Sequence, residues 1–185
     1  LVEQVLRNTP RLGLQIMMEL ADLNPAGLTE EHIGYILAPR LNSLGRLADA
    51  NPVVEFLSTS DETRARLLAL EMESLNARRK LLTDQVFRVA LSQVEQDPAL
   101  REAAALVLAH PAWPGGVIGI VASQLVERFG KPVVLFSAPP GELARGSARR
   151  PRDSSAPPAP AAGSRAGLFA LGEEASHRGR QTTGC

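Results

Sequence analysis

The chain has 185 residues, of which 44% are hydrophobic and only 4% aromatic, enough for an aliphatic core in one compact domain or in two small lobes. Twenty Lys and Arg balance twenty Asp and Glu, and a formal net charge of zero excludes a protein that holds nucleic acid by bulk charge, leaving that task to local clusters. The single cysteine, Cys185, excludes an internal disulfide framework and suits a reducing, cytoplasmic compartment, while no apolar run approaches the roughly 20 residues that cross a membrane.

The sequence opens on Leu1 without a signal peptide and is expected to start inside a longer protein. Residues 1–22 read as helix with one break, because Leu12, Ile16, Met17, Leu20 and Leu23 recur at helical spacing and Pro10 suits the start of a second helix. Asn24-Pro25-Ala26-Gly27 is a turn. Thr29 is an expected N-cap, followed by Glu30 and Glu31 where the helix dipole favours anions. Pro39 is expected to end or kink that helix, and residues 52–57 form another short helical piece. The clearest element runs over 61–96, capped by Ser60 or Thr59, with Leu68, Leu75, Leu82 and Val89 at seven-residue intervals and Met72 and Val86 on the adjacent row. At 1.5 Å per residue it is about 54 Å long. It either lies along one face of a domain or bridges two lobes with its ends in different cores.

Beyond Asp97-Pro98 the pattern changes to strand, glycine-rich loop, helix, strand, the order of an α/β unit with a parallel pair. The strands are expected at 104–109 and 132–136, the helix at 117–129 with Gly130 as its stop, and a third strand at 143–149. From Pro151 the chain is rich in Pro, Ala, Gly and Ser and poor in large apolar residues, which predicts disorder over 151–185.

Three constellations carry candidate chemistry. Arg40, Asn42, Gly45 and Arg46 combine two guanidinium forks with an amide and a glycine, a set that suits phosphate oxygens; the same residues fit a kinked helix with solvated arginines. Gly115-Gly116-Val117-Ile118-Gly119 opens a helix whose amides can accept an anion, or is simply a tight strand-to-helix turn. Arg145, Ser147 and Arg149 alternate onto one face of the last strand, as a backbone grip or as a charged edge that blocks aggregation. Trp113 could stack on a base or plug a core. The histidines, His32, His110 and His177, stand far apart without metal-ligand spacing, and no catalytic set is complete.

In this order, around the long helix, the segments Ile33-Gly34-Tyr35-Ile36-Leu37-Ala38-Pro39-Arg40-Leu41-Asn42-Ser43-Leu44-Gly45-Arg46-Leu47, then Gly116-Val117-Ile118-Gly119-Ile120-Val121-Ala122-Ser123, then Arg145-Gly146-Ser147-Ala148-Arg149 resemble the RecJ family of the DHH phosphoesterase superfamily. The resemblance covers about residues 1–150. It implies an α/β fold: the C-terminal part of a DHH lobe over 1–58, a long connecting helix over 59–97 and part of a DHH-associated lobe over 98–150, with the tail 151–185 outside them. The implied function is hydrolysis of single-stranded DNA from its five-prime end in repair and recombination, by a nuclease that uses manganese or magnesium. Single-stranded DNA and other DNA-repair proteins are the implied partners, with no membrane and a cytoplasmic location. The implied phosphate-binding residues are Arg40, Asn42, Arg46, Gly116, Val117, Ile118, Arg145, Ser147 and Arg149.

The family's metal-binding aspartate and histidine motifs are missing from this sequence, Pro114 stands where the family usually has His, and no Gly-Gly-His segment follows Arg149. The expectation is therefore a fragment that binds no metal and is inactive alone, with a reading-frame shift or gene truncation near Arg150. Two alternatives are a non-catalytic module that binds single-stranded nucleic acid and a relative in the superfamily that acts on short oligonucleotides.

Overall fold

A computed structural model describes residues 2–152. The predicted disorder of 151–185 falls almost wholly on residues outside that range.

Two helices, α1 (Val2–Arg7) and α2 (Leu12–Leu20), and a 3-10 turn at Pro25–Gly27 lead into a third helix. Asn24 caps the turn by accepting the amide of Ala26 at 3.0 Å. The third helix does not end at Pro39. A π-helical turn over His32–Leu37 runs straight into α3 (Ala38–Leu47), with Pro39 in its first turn. The wider turn carries the chain past a residue that has no N–H to donate, so the sequence signal for a stop becomes a change of pitch. Thr29 does act at the start, where its Oγ1 accepts from the His32 amide at 3.4 Å.

Helix α4 (Asn51–Ser58) follows, and then α5 (Glu62–Gln96). The cap of α5 is Asp61, whose carboxylate accepts the Arg64 amide at 3.1 Å, rather than Ser60 or Thr59. Asp97 ends α5 and caps a short α6 (Pro98–Glu102) that the sequence reading did not include. Then come β1 (Leu106–His110), α7 (Ile118–Phe129), β2 (Val133–Ser137) and β3 (Arg145–Arg149). Gly130 stops α7 in the left-handed region at φ 64°. The sheet order is β1-β2-β3, with β1 parallel to β2 and β3 antiparallel to it.

Apolar side chains gather in two separate cores, and α5 serves both. Its first half gives Ala65, Leu68, Ala69 and Met72 to a helical core with Met17, Leu44 and Phe56. Its second half gives Val86, Ala90 and Val94 to a core with Leu108, Val121, Leu125 and Leu135. Each fully buried side chain of this size contributes about 2 kcal/mol, whereas an exposed ion pair contributes less than about 1. The cores therefore hold each half together, and α5 gives side chains to both.

Candidate nucleic-acid interface

The two halves meet where the end of α3 reaches the turn before α7. A methyl group added at Gly116 would stand 1.9 Å from the Arg46 carbonyl oxygen, so only glycine allows this approach. Arg46 also donates from Nη1 to the Gly116 carbonyl at 3.3 Å. The glycine thus admits a neighbouring backbone. At Gly45, where the sequence suggested a close approach, an added methyl would meet only the Ala50 side chain at 3.7 Å.

Register extends the site onto the sheet. Ser137, Leu135 and Val133 stand opposite Arg145, Ser147 and Arg149, and opposed residues share a face. Leu135 and Val133 are fully buried against α7, so the face that forms the core continues, on β3, as Arg-Ser-Arg. The predicted alternation on this strand is what the register shows. Its side chains lie over the opening of α7: positions for added methyl groups fall 3.4 Å from Arg145 Cδ at Gly115 and 3.1 Å from Ser147 Oγ and Arg149 Nη2 at Gly119. Arg46, Gly116, Arg145, Ser147 and Arg149 are thereby brought around one helix start.

Other candidates lie differently. The Val117 amide donates to Pro114 O at 3.1 Å, so the turn itself uses one of the three expected anion donors, and the Val117 and Ile118 side chains are core. Asn42 is exposed beside Arg46 in a shallow depression shared with Gly45, Ala50 and Val53. Arg40 is turned away from such a task. Its Nε and Nη2 face the two oxygens of Glu73 on α5, the second at 3.4 Å, and its Nη1 donates to Ile36 O at 2.8 Å. With 15% of its side chain exposed, Arg40 clamps α3 to α5. Trp113 is a core residue stacked on His110, with ring centroids 5.6 Å apart.

Sequence reasoning missed the middle of α5. Asn76 and Thr83 are buried although polar, and they continue the three- and four-residue spacing of Ala69, Met72, Val86 and Ala90 through the gap between the cores. Between them Arg79 donates from Nε and Nη2 to Asn76 Oδ1 at 3.2 and 3.0 Å. Burial, and secondarily the charge of Arg46, lower its proton affinity from the usual guanidinium value. Polar residues that interrupt an apolar stripe at the right phase were the available signal.

The charge pattern separates these arginines. Arg40, Arg64, Arg66 and Arg88 each meet a carboxylate. Among the described residues, Arg46, Arg79, Arg145 and Arg149 meet none. Guanidiniums that meet no carboxylate, gathered around a glycine-rich helix start, have the chemistry that suits an anion. A metal centre is a different matter. His32 accepts the Thr29 amide and His110 the Ala112 amide, each through Nδ1, and no group of three or more His, Cys, Asp or Glu among the described residues could hold a metal ion. These residues do not fit a two-metal site, and His177 lies outside them. Nor is any helix among them long and apolar enough to cross a membrane.

No family model matches the sequence. Individual proteins do. The single-stranded-DNA-specific exonuclease RecJ of Bacillus subtilis is 39% identical over 145 residues, which is 78% of this chain and 18% of that protein. The Escherichia coli RecJ is 37% identical over 142 residues, 75% of this chain and 24% of that one. The chain thus spans about a fifth to a quarter of the length of these curated relatives. The crystal structure of Thermus thermophilus RecJ in complex with Mg2+ superposes with a TM-score of 0.68 at 30% identity, over 80% of this chain and 22% of that chain. A RecJ bound to manganese does so with the same score, over 82% and 37%. By sequence and by fold, the chain is similar to a part of the RecJ single-stranded-DNA-specific exonucleases.

Proposed function

We propose that this chain is the substrate-gripping part of a single-stranded-DNA-specific exonuclease of the RecJ type, one that degrades its strand from the five-prime end in repair and recombination. The observation that carries the reading is the convergence of Arg46, Arg145 and Arg149, without carboxylate partners among the described residues, on the glycine-rich start of α7. Guanidinium forks bind successive phosphates of a flexible strand, and Ser147 supplies a neutral donor among them. Arg40 has the indirect role of holding α3, and hence Arg46, against α5.

The relatives compared are RecJ exonucleases, which favours a DNA strand over short oligonucleotides as the ligand. The solved relatives hold Mg2+ or Mn2+, and the described residues here do not fit such a centre, so no bond-breaking step is assigned to them. A cytoplasmic location and work beside other DNA-repair proteins follow from that substrate.

The test is binding of a fluorescently labelled single strand to the full chain across a salt series, with manganese present. The chain should bind without shortening the strand. R145Q and R149Q should each weaken binding and reduce the slope of log affinity against log salt by about 0.7. Degradation of the strand would refute the purely gripping role, and unchanged slopes in both variants would refute the site.

A further inference from the structure

Helix α5 crosses from one core to the other, and at the crossing its fully buried positions are the polar Asn76 and Thr83, with the half-buried Arg79 between them and Leu75 and Leu82 packed against either core. Thr83 bonds back to the Arg79 carbonyl at 2.8 Å, and Asn76, only 1% exposed, offers one neutral oxygen to two of the Arg79 donors. A neutral amide orients a guanidinium but does not neutralise it. Among the described residues Arg79 has no carboxylate partner, and the charge that acts on it is the like charge of Arg46. Beside it runs an open cleft of about 450 Å³ between α5 and α7, bordered by Lys80, Phe87, Ile120 and Gln124. The one carboxylate on that border, Asp84, is held by Arg88 at 2.9 Å.

For folding alone this arrangement is costly. A partly buried cation without a counter-ion loses hydration and regains little, and a well-packed apolar side chain at the same place would be at least as stable. A braced, uncompensated guanidinium that opens onto a cleft is instead the form of an anion seat. We propose that Arg79, oriented by Asn76 and assisted by Arg46, binds an internal phosphodiester of the single strand at the crossing between the two cores. This rests on the strand-binding reading above and adds a second point of grip, on the α5 side of the α3–α7 contact. The strand would then be held from both sides of the place where Gly116 meets Arg46.

Anisotropy titration of the full chain with a five-prime-labelled single strand of about 20 nucleotides separates the two ideas. R79Q is expected to bind roughly ten-fold more weakly at low salt, with a salt slope smaller by about 0.7. Its melting temperature without DNA should be equal to or higher than that of the unaltered chain, because the substitution removes an unneutralised charge. A merely structural brace would give the reverse, a lower melting temperature with an unchanged slope, and that result overturns the proposal while leaving the β3 grip intact. If R79Q does not fold, R79K decides. It keeps the charge but loses the fork, so binding several-fold weaker at unchanged slope supports the seat, and wild-type affinity overturns it. Failure of the unaltered chain to bind any single strand removes the strand-binding reading, and this inference with it.

Discussion

The helical half and the α/β half use their arginines in opposite ways. In the first, Arg40 clamps α3 to α5 through Glu73, Arg64 holds Glu55 on α4, and Arg66 reaches Glu19 on α2. These pairs link neighbouring helices to the long helix, and of the three only Arg40–Glu73 is largely shielded from water. In the second half, Arg145 and Arg149 reach over the start of α7 with no carboxylate among the described residues, and Arg46 joins them from the end of α3. The same residue type therefore meets carboxylates on one side and is left without them, among the described residues, on the other. In a chain of zero net charge, position alone makes that difference.

The strongest way to break this division is at its boundary. G116A would place a methyl group 1.9 Å from the Arg46 carbonyl oxygen, and neither backbone can give without separating the two halves. It should destabilise the chain by on the order of 3 kcal/mol, measured by chemical denaturation, and abolish high-affinity binding of a single strand. Wild-type stability and binding would show that the halves are not joined there.

Next come the two cores. M72A and L125A each empty a fully buried site, one in each core, and each should cost about 2–5 kcal/mol. Hydrogen exchange should show protection lost first around α2 and α4 in M72A and around α7 and β2 in L125A, since the two cores share only α5 and α3, whose Leu47 packs against the second core. Uniform loss in either variant would mean that the cores are not independent.

A smaller effect tests the mechanical role of Arg40. R40Q should lower stability by about 1–2 kcal/mol and leave the salt slope of strand binding unchanged, because Arg40 faces Glu73. A slope reduced as in R149Q would make Arg40 a phosphate ligand instead. The smallest effect concerns Glu55, whose carboxyl the bonded Arg64 holds below the ordinary value of 4.5. A lowered carboxylate value stabilises the folded chain above the unfolded value, and that contribution fades as pH falls through the folded one. E55Q should therefore lower stability slightly at neutral pH, leave it unchanged at the acid end below the folded value, and so flatten the acid limb of the curve measured by chemical denaturation across pH.

Much of this organisation is legible locally. The long helix, its end at Asp97 and the stop at Gly130 follow from short-range periodicity and backbone preference. So does the common face of Arg145, Ser147 and Arg149, because strand alternation needs no knowledge of the partner. What sequence does not disclose is who meets whom. Arg40 reads as a free fork until Glu73, thirty-three residues away, is placed against it. Gly116 reads as an opening for phosphate until the Arg46 carbonyl fills it. Arg79 is silent in a heptad count that follows Leu68, Leu75 and Leu82, because beyond Leu68 the fully buried positions run one row over, through Met72, Asn76 and Thr83. Pro39 misleads for another reason: local preference says stop, and a single widened turn meets the same constraint without one.

That widened turn also sets an angle. Each residue inserted into a helix rotates everything beyond it by about 100°. The π-helical stretch over His32–Leu37 therefore works as a phase shifter between the part of the helix anchored near Thr29 and the part that delivers Arg46 to Gly116. Without that rotation, an identical set of side chains would turn Arg40 off Glu73 and Arg46 away from Gly116. Spacing along the chain, as much as residue identity, decides where these arginines point.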